Sequence, residues 1–316
     1  MIDPIPSGAG RVLDEGLLCY LAARTPWGPH LTPLVYAAHG SRLWVTTSRR
    51  SVKARAWRTD PSVGGLVRAG DRALAFVGSV RAHDLLDPAT WVASARSAPA
   101  ITLAAGVFTV RNARFFAGYA VDAPRVPLAW SPPGRVFAEI RLRSAALFGD
   151  GIGRRWGVRT RRVRGEPTFR ARRSAMDPLE GVPDDVRELV GGGGEAALAL
   201  EGPGGVWVVP ARWAIDRATL YAAVSDAALA LVGGGPALSG AIAVDHASSW
   251  RAREMAGAMV RGRAEVFAPV ELRSGRRSAA RLMGGMGVDP ARGILVRMIP
   301  SRVVWWRGWS GGTVVP

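Results

Sequence analysis

Lysine is almost missing from this chain: of 42 basic residues among 316, 41 are arginine and one is Lys53. The formal net charge of +17 is therefore arginine charge. An arginine- and alanine-rich chain of this kind reflects GC-rich coding, so arginine abundance alone says little about nucleic acid. Cysteine is equally scarce, and a lone Cys19 excludes a disulfide framework and any cysteine-based zinc site. The histidines His30, His39, His83 and His246 lack metal-ligand spacing, so no metal is expected. No run of 18 apolar residues occurs, and the opening MIDPIPSGAG has no basic region before an apolar stretch. Neither a membrane span nor a signal peptide is read, and the cytoplasm is the expected location. No Gly-x-Ser-x-Gly elbow, phosphate-binding loop or dinucleotide fingerprint is present. Asp245-His246 with Ser248-Ser249 invites a triad reading, but these residues fall at a turn with no oxyanion feature.

What is present is a chain with 48% hydrophobic residues, able to bury a large core, and about twice the size of a common domain. Sliding the chain by 177 residues places Leu18–Lys53 on Glu195–Ala230 without a gap. Leu21, Ala22, Pro26, Gly28, Pro33, Ala37, Leu43 and Ser48 then fall on Leu198, Ala199, Pro203, Gly205, Pro210, Ala214, Leu220 and Ser225. Further on, Phe76–Ala82 resembles Val260–Ala264 after an insertion around Ser248–Glu254. A duplication is the simplest reading. The expected domains are 1–150, a connecting segment over 151–194, and 195–316. The connector holds nine arginines against Glu166 between Arg154 and Arg173, then a Pro- and acid-containing stretch from Asp177 to Val190 and a glycine run to Gly194.

Apolar alternation predicts strands at Leu17–Ala23, Leu31–Ala38, Leu43–Thr47, Val63–Arg68, Arg72–Ala82 and Arg135–Leu147, and at Ile294–Trp306 in the second copy. His39-Gly40-Ser41 and Ala69-Gly70-Asp71 supply tight turns. A short helix is expected over Ser51–Arg58, ending before Asp60-Pro61, with further helix after Asp87-Pro88 and within Ala98–Ala117. Six antiparallel strands per copy point to a small closed barrel. The fold class is thus mainly β with short helices.

The segment richest in chemistry is Thr46-Thr47-Ser48-Arg49-Arg50-Ser51-Val52-Lys53. Hydroxyls end a strand and open a helix, and the only lysine follows on an exposed first turn. Helix-opening N–H groups, hydroxyls and an ammonium suit a phosphate. The alternative is a serine cap followed by a solvated basic turn. A chain that uses arginine almost everywhere keeps lysine here, where a compact point charge would face phosphate.

Over residues 16–84 the sequence resembles the flavin- and deazaflavin-binding split β-barrels related to pyridoxamine 5'-phosphate oxidase, and more loosely to Phe148. The likeness runs through Gly28-Pro29-His30-Leu31-Thr32-Pro33, Leu43–Thr47, Ser51-Val52-Lys53-Ala54-Arg55, Asp60-Pro61 and Gly78. It implies two tandem split β-barrels forming a pseudo-dimer within one chain. It also implies that Thr47, Ser51 and Lys53 hold a cofactor phosphate and that the strand His30–Pro33 runs beside the ring system. Val52 departs from the basic residue common at that place. The candidate cofactor residues are His30, Thr32, Pro33, Thr46, Thr47, Ser48, Arg50, Ser51 and Lys53. The second copy has Val224, Ala228 and Ala230 where the first has Thr47, Ser51 and Lys53, which implies one phosphate site per chain. Trp305, Trp306 and Trp309 would wall a cleft, or else cap a barrel end, the commoner use of such a cluster.

The resemblance implies an oxidoreductase moving hydride to or from a small molecule, with coenzyme F420 or FMN as cofactor and FAD also possible. No residue stands out as a general acid or base. A non-catalytic cofactor-binding protein is the first alternative. A nucleic-acid-binding protein using Arg154–Arg173 is the second, and a solvated connector or lid explains that segment better.

Overall fold

A computed structural model describes residues 5, 7–122, 134–149, 151–158, 177–246, 252–267 and 276–316. The chain divides into two compact units. One comprises Met1–Arg24, Thr32–Val158 and Ser248–Arg253; the other comprises Thr25–Leu31, Arg159–Ala247 and Glu254–Pro316. Most of the arginine-rich segment, from residue 159 on, and Ser248-Ser249 lie outside the described residues.

The first half of the chain runs α1 (Ser7–Glu15), β1 (Cys19–Thr25), β2 (Gly28–Leu34), β3 (Tyr36–His39), β4 (Arg42–Ser48), α2 (Val52–Thr59), β5 (Ser62–Ala69) and β6 (Arg72–His83). A helical excursion follows, α3 (Trp91–Arg96), α4 (Ala98–Arg111) and α5 (Ala113–Asp122), and then β7 (Arg135–Gly149) and β8 (Gly151–Trp156). The strands pair in the order β2-β1-β5-β6-β7-β4-β3, with β8 on β7. The two ends of that path, β2 and β3, are separated along the chain by Val35 alone. One interrupted strand therefore serves both edges of the half-open barrel. Pro33, which has no N–H to give a ladder, sits beside the interruption. Alternate residues point inward: Leu43 and Val45 from β4, Leu74 and Phe76 from β6, Ala138, Ile140 and Leu142 from β7 share one core with Val12 and Leu13 of α1.

The second half runs α6 (Asp184–Val190), β9 (Gly193–Gly202), β10 (Gly205–Asp216), β11 (Thr219–Ser225), α7 (Asp226–Val232), β12 (Ala237–His246), β13 (Ala256–Phe267), α8 (Arg276–Gly285), β14 (Gly293–Arg307) and β15 (Ser310–Val314). Its sheet order is β11-β10-β9-β12-β13-β14-β15, and the extra pairing of β11 with β14 closes six strands into a barrel. The stretch before β9 is packed as well as connecting, since Leu179, Val182 and Val186 are buried.

The duplication is visible in the strand limits. β10 spans the residues that match β2 and β3 together, and β11 those that match β4, both at the offset of 177. A bulge recurs too. Pairing slips between Val77 and Gly78 against β7, and between Arg261 and Gly262 against β14. A Cβ at Gly78 would come within 2.6 Å of the Arg141 carbonyl, and one at Gly262 within 1.9 Å of the Ile299 carbonyl. Both copies therefore need glycine where the bulged strand crowds its neighbour. The protein is thus mainly β with short helices, two copies of one barrel plan in tandem. No helix among the described residues is long and apolar enough to cross a membrane.

Candidate phosphate site

The site is built where β4 hands over to α2. Ser48 ends the strand and its Oγ accepts from the Arg50 N–H at 3.3 Å, while Ser51 N–H donates to the Ser48 carbonyl at 2.9 Å. This tight turn delivers Ser51 as the helix cap, with extended φ and ψ of −65° and 154°, and its Oγ accepts from Ala54 N–H at 3.1 Å. Thr47 Oγ1 donates to Ser51 Oγ at 3.1 Å, so the two hydroxyls are held together. Two residues into the helix, Lys53 turns inward and donates its ammonium to Thr32 Oγ1 on β2. Two pairs thus flank the helix start, Thr47 with Ser51 and Lys53 with Thr32.

Lys53 is not the exposed first-turn lysine expected from sequence; it is 4% exposed. The reason is that Ala54 and Trp57 face the barrel, and Lys53 lies on the same inward side of a helix with three buried positions. Burial pushes its pKa down from 10.5 to about 7, and the nearby Arg135 guanidinium pushes in the same direction. Arg135 is itself anchored on β4, Nε to Thr46 Oγ1 at 3.0 Å and Nη2 to the Thr46 carbonyl at 3.1 Å. Among the described residues Lys53 has a hydroxyl partner and no carboxylate partner.

Other buried charges in this unit are treated differently. Glu139, fully buried, is surrounded by Arg42 at 2.6 Å, Arg141 at 3.1 Å and Arg81 at 3.6 Å. Asp84, 3% exposed, takes Arg49 Nε at 2.8 Å and has Arg58 at 3.6 Å. A buried ammonium beside a second cation, lacking the counter-charge its neighbours have, is the electrostatic form of an anion site. The donors fit a phosphate group: one ammonium, two paired hydroxyls and a third on Thr32, with the Arg135 guanidinium, seated on Thr46, adding positive field.

The other expected site residues are placed as follows. Thr46 points to the opposite face of β4 from Thr47 and acts as the seat of Arg135. Ser48 shapes the turn, Arg50 is exposed, and Pro33 is half-buried on β2. His30 is buried and falls within Thr25–Leu31, which groups with the second unit. Arg135 is the residue that sequence reasoning missed, because the register that pairs it with Ser48 is set by a strand 87 positions away.

In the second copy the helix starts earlier. Ser225, which matches Ser48, is itself the cap of α7 and accepts from Ala228 N–H at 3.1 Å. The hydroxyl of Ser51 thus has a counterpart, but its surroundings do not: Val224 replaces Thr47, Asp226 opens the helix with negative charge, and Ala227 stands where Lys53 would be. Trp305 and Trp306 pack on glycines in this unit. Trp306 pairs with Gly257 and Trp305 with Gly312, and a Cβ at either glycine would strike the indole at 2.4 and 2.7 Å.

The fold and this cluster together define a tandem barrel protein with a buried lysine and paired hydroxyls at one helix start. No protein-family model matches the chain, and no curated protein does. Solved structures do resemble it, among them proteins described as an F420 reductase, a FAD-binding protein and a pyridoxamine 5'-phosphate oxidase-related, FMN-binding protein. An FMN-binding protein of that kind from Nostoc punctiforme is 17% identical, matching 49% of this chain and 91% of its own, with a TM-score of 0.35. A protein described as an F420 reductase is 21% identical over 45% of this chain and 98% of its own, with a TM-score of 0.30. A FAD-binding protein from Mesorhizobium loti is 17% identical over 45% of this chain and 94% of its own, with a TM-score of 0.31. Each matches about half of the chain.

Proposed function

We propose that this protein binds a flavin-type cofactor by its phosphate at Thr32, Thr47, Ser51 and Lys53, with Arg135 alongside, and works as an oxidoreductase on a small molecule. The observation that carries the reading is the buried Lys53 ammonium with a hydroxyl partner and no carboxylate among the described residues. Coenzyme F420 or FMN is the cofactor proposed, with FAD a third candidate. When bound, such a cofactor supplies the hydride chemistry.

The chain's own part is to bind and orient. Ser51 and Thr47 present hydroxyls, Lys53 supplies a charge that a phosphate restores to its full ammonium form, and Arg135 adds a second positive field. No carboxylate or imidazole stands in the cluster among the described residues, which favours one other reading, a cofactor-binding protein without turnover. The residues 1–150 are proposed as the site-bearing repeat, joined through 151–194 to the repeat over 195–316.

The test is the absorption spectrum of the purified protein, followed by titration with FMN, FAD and F420 and by turnover assays with the cofactor that binds. Binding with hydride transfer supports the oxidoreductase; binding without turnover supports the second reading. Failure of all three cofactors to bind would overturn both.

A further inference from the structure

A second site lies within the second unit, independent of the reading of Lys53. A cavity of about 350 Å³ is lined by Trp27, Ser239, Gly262, Arg263 and Ser301, with Ala237 and Leu238. Trp27 is 70% exposed, yet its backbone is fixed. Thr25 Oγ1 donates to the Gly28 carbonyl at 2.6 Å and accepts from Trp27 N–H at 3.3 Å. The turn is seated as closely as a turn can be. Gly28 has φ +100°, and a Cβ there would come within 2.2 Å of Ser239 Oγ. An indole this exposed on a turn this constrained presents a flat face beside a cavity.

Guanidinium groups gather around the cavity. Arg261 is 3% exposed, has Nη1 at 3.5 Å from Thr25 Oγ1, and its Nε has no hydrogen-bond partner. Burial, and after it Arg302, hold its pKa below the usual guanidinium range. Arg263 is 62% exposed and pairs with Glu265, whose other oxygen is taken by Arg297 Nε at 2.8 Å. Glu265 is therefore shared between two guanidinium groups, while Arg261 and Arg302 add further positive charge nearby. The bulge at Gly262 sits in the cavity wall, and Ser301 Oγ donates to the Arg261 carbonyl at 3.2 Å, tying the wall together.

We propose that this cavity binds a planar aromatic ring bearing a phosphate or carboxylate, the ring stacked on Trp27 and the anion facing Arg263, with Ser239 and Ser301 as hydroxyl partners. A stacking platform beside guanidinium groups is the recognition chemistry for such a ligand, and the volume suits a molecule of nucleotide size or smaller.

The experiment is calorimetry on the full chain with adenosine monophosphate and benzoate as probes, adenosine and inorganic phosphate as the separated parts of the first, and benzamide as the uncharged counterpart of the second. One of the two intact probes is expected to bind at least about tenfold more tightly than its parts or its uncharged counterpart, the loss expected when a charge-assisted contact is removed. Which probe binds decides between phosphate and carboxylate. Trp27→Ala and Arg263→Ala are each expected to weaken that binding about tenfold with the melting temperature unchanged, because both side chains are largely exposed. Lys53→Met is expected to leave it as it is. Absence of binding by both probes would overturn the proposal, as would binding that Trp27→Ala and Arg263→Ala leave intact or that Lys53→Met abolishes.

Discussion

Lys53 donates its buried ammonium to the hydroxyl of Thr32, 21 residues earlier in the chain, and no carboxylate among the described residues shares that charge. Holding a cation this way costs stability, and the cost is what marks the residue.

Replacing Lys53 by methionine should therefore stabilise the fold while removing function. The substitution keeps the chain length and removes the buried charge, and each kcal/mol recovered raises Tm by about 2–4 °C in a unit of this size. Cofactor affinity should fall about ten- to a hundredfold with the lost charge-assisted bond. A thermal melt beside a titration checks both halves; a variant that melts lower and binds as the parent does contradicts them.

Stability should rise with pH in the parent from about 7 upward. The folded pKa of Lys53, about 7, lies below its ordinary 10.5, so between these values the unfolded chain binds more protons than the folded one. This one group then adds up to about 1.4 kcal/mol per pH unit climbed. Below pH 9 the window is clear of Cys19, whose thiol is pushed by burial up to about 12 and whose effect has the opposite sign. Urea unfolding at pH 7, 8 and 8.8 should show the slope in the parent and lose it in Lys53→Met.

Binding of the cofactor phosphate should draw a proton into the site. At pH 8.5 most of the free protein holds Lys53 neutral, and the bound phosphate favours the ammonium, so about one proton is taken up per ligand. Calorimetry in two buffers of different ionisation enthalpy measures this directly. An uptake of zero means that Lys53 does not meet the phosphate.

Arg135→Ala should weaken cofactor binding and also raise the Lys53 pKa, since Arg135 is one of the two causes that lower it. The midpoint of the pH dependence of binding should move upward. A structural role for Arg135 alone, as a strap on Thr46, would lower stability and leave that midpoint in place.

One cofactor should bind per chain, because Val224 and Asp226 deny the α7 cap a phosphate even though Ser225 supplies its hydroxyl. Ala227→Lys, the residue two past that cap, should leave the stoichiometry at one while Asp226 remains. Two equivalent sites in the parent would show that the α7 cap binds cofactor after all.

The repeat was legible because backbone turns and inward-facing apolar residues keep their spacing. Gly28 to His39 and Gly205 to Asp216, like Arg42 to Ser48 and Thr219 to Ser225, bound their strands identically. The site was legible only in part. Thr47, Ser51 and Lys53 lie within seven residues and announce a capped helix start. The burial of Lys53 depends on β2, and the arrival of Arg135 depends on the register of β7 after the long α3–α5 excursion, and neither is a local property. The three extra residues after Ser48 that move the helix cap to Ser51 also defeat a simple alignment, which pairs Ser51 with Ala228 although the working counterpart is Ser225.

The most direct measurement is the titration of parent and Lys53→Met with F420 and FMN, followed by absorbance at pH 6.5 and 8.5. The parent should bind one of them, more tightly at pH 6.5, and the variant should bind about ten- to a hundredfold more weakly with no dependence on pH between these values. Equal affinity of parent and variant at both pH values would show that the buried lysine holds no cofactor phosphate.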